Sequence, residues 1–180
     1  MFIRAALIAG RTSNGIFGGR VMGETLPELV DDLAAASGPE ATDLELLAAR
    51  LGRLRFVHLN RLDVVAQAVS WARSLQTHFW HQGEAMAPGG QDPRYDEELI
   101  GELVDRIETL EAAWVSWFAG QGIVPYEVNY EELAADPPGT ASRILDWLGL
   151  QVPQDYQLGT THQRQADHVN ADWIRTYKSR

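Results

Sequence analysis

A short apolar run that leads directly into a long helix is the feature that most restricts how this chain can fold. The run is RFVHL, residues Arg55–Leu59. A short and largely apolar run of this kind is typical of a buried parallel strand. Asp63 can cap the helix that follows, which is predicted to reach about Trp80. A strand and helix joined in this way favour an α/β domain.

Two more apolar runs are predicted to be strands, Ile16–Met22 and Val124–Tyr130, and helical segments separate all three. The clearest helical pattern lies between the second and the third of these runs, where apolar residues recur every three or four positions. These residues are Leu99, Leu103, Ile107, Leu110, Trp114 and Trp117. We therefore predict one mostly parallel sheet with helices on both faces, in which the three strands are neighbours. The length predicts a single domain, residues 1–180.

The composition excludes several classes of protein. The chain carries 25 acidic and 15 basic residues, a net charge of −10, whereas nonspecific nucleic-acid binding requires many cations. It contains no Cys, and therefore no disulfide, thiolate metal site or cysteine nucleophile. Its apolar runs are too short for a membrane span, and the N-terminus lacks a convincing signal peptide. We expect a cytoplasmic protein with no nucleic-acid partner.

Arg61 lies where the strand RFVHL ends, which is where ligands bind in open parallel sheets. The N-terminus of the next helix offers free N–H groups and a positive dipole end to an anion. A guanidinium can bind a phosphate through two parallel hydrogen bonds. Ser70, on the same helix face as Asp63, adds a hydroxyl. Arg61 and Ser70 are thus a candidate phosphate site, although spacing alone favours a solvated arginine and a neutral helix serine.

Four segments carry a resemblance to known enzymes. HLNRLDVVAQAVSWARSLQTHFWH, residues 58–81, resembles the strand and helix of sulfotransferases that use 3′-phosphoadenosine-5′-phosphosulfate (PAPS). YEELAADPPGTASRILDWLGL, residues 130–150, resembles a late strand–helix segment of the same superfamily. GRTSNGIFGGRVM and RQADHVNADWIRTY, together with the segment from Val64 to His81, are similar to the bacterial trehalose 2-sulfotransferase family. The segments follow the order of that family and cover almost the whole chain.

The resemblance implies a P-loop-like sulfotransferase fold and transfer of a sulfuryl group to a carbohydrate hydroxyl, with trehalose or a related sugar or glycolipid as acceptor. PAPS would be the co-substrate, and no metal is implied. By the same resemblance, Arg61 and Ser70 would hold the 3′-phosphate. Arg164 and Gln165 of the RQAD loop would also contact the nucleotide.

The part of the resembled family that binds the 5′-phosphosulfate has no counterpart in this sequence. That part is a strand, a loop rich in Arg, Gly, Ser and Thr, and a helix, and its backbone N–H groups cradle the phosphosulfate. AGRTSNGIFGG is basic and glycine-rich, but a strand-like run follows it. The loop and the general base are therefore expected upstream of Met1, so that the domain is truncated at its N-terminus and no catalytic residue is assigned.

A late start codon, a gene fragment or a decayed paralogue would each explain such a truncation. The alternative function is a catalytically inactive remnant that retains part of the nucleotide site. A sheet that lacks its first strand has an exposed edge, and we expect this edge to favour a homodimer.

The histidines suggest no zinc site, because none falls in an HExxH pattern or at ligand spacing from a carboxylate. His58 is interpreted as a hydrogen-bonded core residue of its strand. His78 and His81 suit the C-terminal end of a helix dipole. Alternatively, they line the acceptor pocket with Trp80, whose ring could stack on a sugar, although core packing is the more frequent role of such a residue.

Overall fold

The computed structural model describes residues 2–34, 41–78, 92–151 and 168–180. In chain order their elements are α1 (Phe2–Gly10), α2 (Leu26–Ala34), α3 (Asp43–Leu51), β1 (Val57–Asn60), α4 (Val64–Thr77), α5 (Glu97–Gly120), β2 (Tyr126–Asn129), α6 (Tyr130–Ala135), α7 (Pro137–Leu148) and α8 (His168–Lys178). They belong to two compact units. The first contains Met1–Phe56 and Ala112–Pro125, and the second contains Val57–Glu111 and Tyr126–Arg180.

The first unit is helical in the part of the chain that the structure describes. Helices α2 and α3 pack together through a small apolar core of Leu33, Leu46 and Leu47. A capping box starts α3: the Thr42 hydroxyl accepts a hydrogen bond from the Glu45 N–H, and the Glu45 carboxylate accepts one from the Thr42 N–H. Each bond satisfies an N–H that the helix leaves without an internal partner.

The second unit contains the two strands, which pair in parallel. The register sets His58 beside Glu127 and Asn60 beside Asn129. The carboxyl ends of β1 and β2 therefore meet at one edge of the sheet. The predicted parallel pairing of these two runs is confirmed, although each strand is shorter than its apolar run.

The core of the second unit joins three helices. Its buried residues are Ala68, Val69 and Ala72 from α4, Ile100, Leu103 and Ile107 from α5, and Trp173 from α8. The small residues of α4 allow α8 to pack closely against it. Val57 and Leu59 on β1 are 41% and 54% exposed. The described residues thus leave that face of β1 uncovered, whereas the sequence predicts helices on both faces.

The predicted strand Ile16–Met22 is wrong, because these residues form an irregular segment without strand pairing. The Ile16 carbonyl instead accepts hydrogen bonds from the N–H and the hydroxyl of Thr12. The ring of Phe17 lies over Gly10, so close that a Cβ on Gly10 would be 2.7 Å from a ring carbon. Glycines 18 and 19 weaken any strand at this position. The segment therefore covers the end of α1 rather than extending the sheet.

Helix α4 ends at Thr77, earlier than the sequence predicts, since His78 takes a left-handed conformation with φ 53°. Helix α5, in contrast, covers the whole apolar pattern from Leu99 to Trp117. None of the helices in the described part of the chain combines the length and the apolar composition needed to cross a bilayer.

Candidate phosphate-binding site

The parallel pairing brings two charged segments to the same edge of the sheet. Arg61, Leu62 and Asp63 follow β1, while Tyr130 and Glu131 follow β2. The Arg61 guanidinium carbon lies 4.5 Å from the centre of the Tyr130 ring. Arg61 Nε lies 3.8 Å from Glu131 Oε1. The structure thus places Arg61 at the strand end, and its phosphate-binding role stays a prediction.

The Arg61 guanidinium has N–H donors that make no hydrogen bond to a described residue. Its side chain is only 21% exposed, yet Nε is buried without a hydrogen-bond partner among the described residues. The 3.8 Å contact with Glu131 is too long for a hydrogen bond. A guanidinium carries five N–H donors, and leaving a buried donor unpaired costs about 1–3 kcal/mol. An anionic acceptor at this edge would find a guanidinium whose donors are not used by the described part of the chain.

Some of the backbone N–H groups at this edge have an acceptor within the described part of the chain, and others do not. Glu131 accepts hydrogen bonds from the N–H of Leu62 at 3.1 Å and of Asp63 at 3.3 Å. The N-cap Asp63 accepts one from the N–H of Ala66 at 3.0 Å. The expectation of a helix N-terminus with free donors is therefore corrected at these three positions. Among the described residues, no acceptor pairs with the N–H groups of Val64 and Val65, which follow Asp63.

Charges of both signs alternate along the edge. The Lys178 ammonium of α8 lies 3.0 Å from each carboxylate oxygen of Asp63. Partial burial tends to raise the pKa of Asp63, but the Ala66 N–H, Lys178 and Arg61 together hold that pKa below its ordinary value. Glu131, Arg61, Asp63 and Lys178 thus form a row of two carboxylates and two cations, which we call the edge row.

The carboxylate of Glu131 is stabilised in the same way. Partial desolvation tends to raise its pKa, but hydrogen bonds from the N–H groups of Leu62, Glu131 itself and Asp63 outweigh it, and the Arg61 charge adds to them. The pKa of Glu131 is therefore lowered from its ordinary value. Both carboxylates of the edge row are ionised at neutral pH.

Ser70 lies two turns into α4 and is partly buried. Its carbonyl accepts a hydrogen bond from the Ser74 hydroxyl at 3.1 Å. No hydrogen bond joins its own hydroxyl to Arg61 or to another described residue. Ser70 therefore retains an available hydroxyl, but the structure does not bring it into hydrogen-bond contact with Arg61.

The other predicted site residues, Trp80, His81, Arg164 and Gln165, lie outside the described residues. Within the described ranges, no three His, Cys, Asp or Glu side chains form a group that could hold a metal ion.

Sequence reasoning missed three residues of the edge: Tyr130, Glu131 and Lys178. The first two could have been found, because residues that directly follow neighbouring parallel strands share one edge. Lys178 is 115 residues from Asp63, and no spacing in the sequence links the two.

A parallel pair of strands with a basic side chain at its carboxyl edge defines an α/β protein with a candidate anion site. Comparison with known proteins gives the family. The whole chain, residues 1–180, matches the Stf0 sulphotransferase family, and the protein belongs to it.

Two relatives carry the name trehalose 2-sulfotransferase. The one from Mycobacterium tuberculosis (strain ATCC 35801 / TMC 107 / Erdman) is 31% identical over 183 residues, which cover 95% of this chain and 64% of the relative. The one from Mycolicibacterium smegmatis (strain ATCC 700084 / mc(2)155) is 30% identical over 181 residues, which cover 94% of this chain and 63% of the relative. The chain thus spans somewhat less than two thirds of the length of these relatives.

Proposed function

We propose that this chain serves in PAPS-dependent transfer of a sulfuryl group to a carbohydrate hydroxyl, with trehalose or a related sugar or glycolipid as acceptor. Membership of the sulphotransferase family and the names of the two relatives support the reaction class and the acceptor. The donor is inferred from the site at the end of β1.

The observation that carries the proposal is Arg61, a largely covered guanidinium without an acceptor among the described residues. Its position at the carboxyl edge of parallel strands is where such sheets bind ligands. A phosphate presents oxygens that match the paired donors of a guanidinium. A 3′-phosphate also distinguishes PAPS from nucleotides with phosphate only at the 5′ position, so Arg61 would select the donor.

In the proposed reaction, the acceptor hydroxyl oxygen attacks the sulfur of the phosphosulfate. The sulfur–oxygen bond to the 5′-phosphate breaks, and the hydroxyl proton passes to a base. The products are a sugar sulfate ester and adenosine 3′,5′-bisphosphate. We assign Arg61 and Ser70 to the 3′-phosphate and Arg164 and Gln165 to the nucleotide. Trp80 and His81 are proposed for the sugar.

The test compares two nucleotides that differ at the 3′ position. Adenosine 3′,5′-bisphosphate carries the 3′-phosphate, and adenosine 5′-monophosphate lacks it. Hydrogen bonds to charged groups contribute about 1.5–3 kcal/mol. Arg61→Ala should therefore weaken bisphosphate binding by roughly tenfold to a few hundredfold in calorimetry, with little effect on the monophosphate. Arg61→Lys should retain only part of the affinity for the bisphosphate, because an ammonium cannot form the paired contact with phosphate.

Ser70→Ala should weaken bisphosphate binding less, by about 1 kcal/mol, since a neutral hydroxyl contributes less than a guanidinium. Ser74→Ala is the matched control, because the Ser74 hydroxyl already bonds to the Ser70 carbonyl. Equal losses for both nucleotides, or no loss for either, would show that Arg61 does not bind the 3′-phosphate.

A further inference from the structure

We propose that Glu131 is a positioning residue, which holds the turn between β1 and α4 and thereby places Arg61 in the orientation that a 3′-phosphate requires. The inference rests on the proposed function and extends it to a residue that would not touch the nucleotide itself. Glu131 follows β2, yet its carboxylate binds the segment that follows β1. It therefore links the two strand ends from which the site is built.

Two backbone donors and one cationic side chain face the Glu131 carboxylate. One oxygen accepts the Leu62 N–H, and the other accepts the Asp63 N–H and faces Arg61 Nε. Both oxygens are therefore used as acceptors. A glutamine would supply one acceptor oxygen and one NH2 group, and this group would face a donor. The arrangement thus requires a carboxylate and not merely a polar side chain.

Tyr130 supplies the second restraint on Arg61. Its ring lies beneath the guanidinium at 4.5 Å, a cation–π distance that restrains the plane of the group. The carboxylate of Glu131 lies near Nε. The two terminal nitrogens of Arg61 remain as the donors for a ligand, and no described residue accepts a hydrogen bond from them.

Such restraint matters because Arg is a flexible side chain. Ordering a free side chain at a binding site opposes binding, and a side chain held in place beforehand avoids much of that cost. A two-point contact with phosphate also depends on the orientation of the guanidinium. Loss of Glu131 should therefore weaken phosphate binding although Arg61 is retained.

The neighbouring residue offers a matched control. Glu132 also lies on α6 and carries the same charge, and the hydrogen bond to its carboxylate comes from the Asn129 amide at 3.5 Å, not from the segment after β1. Glu131→Gln and Glu132→Gln therefore remove the same charge from adjacent positions. Only the first disturbs the acceptors for the Leu62 and Asp63 N–H groups and removes the negative charge beside Arg61.

The experiment measures adenosine 3′,5′-bisphosphate and adenosine 5′-monophosphate binding by calorimetry, with circular dichroism as a check on folding. Glu131→Gln should weaken bisphosphate binding about threefold to tenfold, in the usual range for coupled neighbours. Glu132→Gln should change it less than about twofold. Neither variant should alter monophosphate binding. Glu131→Asp keeps both acceptor oxygens and should therefore weaken bisphosphate binding less than Glu131→Gln does. If Glu131→Gln does not fold, Glu131→Asp serves as the test.

A double variant separates positioning from a general structural role. In an Arg61→Ala background, Glu131→Gln should have no further effect on bisphosphate binding, because its action runs through Arg61. An effect that persists there, or equal losses for the two nucleotides, would overturn the inference. Tighter bisphosphate binding by Glu131→Gln would also overturn it, since Glu131 would then be a competing anion.

Failure of the inference can be distinguished from failure of the proposed function. If Arg61→Ala weakens bisphosphate binding and Glu131→Gln does not, the inference about Glu131 is contradicted and the proposed function is not. If Arg61→Ala itself had no effect, the proposed function and the inference would both be contradicted.

Discussion

Two basic side chains of the same short segment, His58 and Arg61, differ in burial and in their distance from the neighbouring carboxylates. His58 lies within β1 and is 7% exposed, with Nδ1 2.9 Å from Glu127 Oε2 and Nε2 3.4 Å from Glu111 Oε1. Arg61 follows the strand, is 21% exposed, and has its nearest carboxylate at 3.8 Å. The segment thus carries one basic group with two carboxylates within 3.4 Å, one of them hydrogen-bonded to Nδ1, and one whose nearest described carboxylate is beyond hydrogen-bond distance. The first is suited to stability and the second to ligand binding.

The largest expected effect tests the stabilising half of this contrast. His58→Leu should lower the free energy of unfolding by about 1.5–3 kcal/mol, the contribution of a hydrogen bond to a charged group. Urea unfolding followed by circular dichroism measures it. Affinity for adenosine 3′,5′-bisphosphate should not change in the folded protein. Arg61→Ala should show the reverse pattern: it should weaken bisphosphate binding, while the free energy of unfolding should fall by less than about 1 kcal/mol. If His58→Leu left the free energy of unfolding unchanged, the contrast between the two residues would be contradicted.

The next effect concerns the helix cap beside Arg61. Asp63→Ala removes the acceptor for the Ala66 N–H and should cost about 1 kcal/mol of unfolding free energy. Asp63→Asn should retain most of that stability, because Asn caps helices as well as Asp does. Thermal unfolding of the two variants provides the measurement. A loss of equal size in both would assign the effect to charge rather than to the cap.

A smaller effect is expected where Lys178 meets Asp63. Lys178 is 49% exposed, and exposed ion pairs contribute about 0.2–1 kcal/mol. Lys178→Met should lower stability within that range at low salt, and the difference should shrink at high salt because ions screen exposed charges. Arg175→Met is the control on the same helix, since Arg175 is 76% exposed and pairs with Asp172 of its own helix. If Lys178→Met lost as much stability at high salt as at low salt, the effect would come from packing of the lysine side-chain methylenes and not from the ion pair.

The smallest effect is the pH dependence of the edge row. The pKa values of Asp63 and Glu131 are lower in the folded protein than their ordinary values, so both carboxylates stabilise the fold above the unfolded pKa of about 4. This stabilisation is lost as the pH falls through the lower folded pKa values. Glu131→Gln should therefore show a shallower loss of stability in acid than the wild type. Parallel acid profiles of the two proteins would contradict the assignment.

The sequence predicted those elements that local physics determines. The apolar run before Arg61 became β1, Asp63 became the cap of α4, and the three- and four-residue pattern became α5. His58 was predicted as a hydrogen-bonded core residue, and its contact with Glu127 confirms that interpretation. In each case the relevant partners were neighbours in sequence or followed from strand pairing.

Prediction failed where a residue's partner was not implied by its own pattern. Ile16–Met22 has the apolar content of a strand, but Phe17 finds its contact on Gly10, and Ile16 bonds back to Thr12. Likewise, the edge row depends on Lys178, whose place beside Asp63 is set by the packing of α8 against α4. The position of Arg61 was thus predictable, whereas most of the charges around it were not.

The edge row also has a consequence for the order in which the protein is made. Leu62 precedes its partner Glu131 by 69 residues, and Asp63 precedes Lys178 by 115. At typical rates of synthesis, the second interval corresponds to on the order of ten seconds on the ribosome. Asp63 is therefore synthesised well before Lys178, and Arg61 is synthesised well before Glu131. The contacts of the edge row therefore cannot be complete until Lys178 has been synthesised, and a chain that ended before Lys178 would lack the cation that pairs with Asp63.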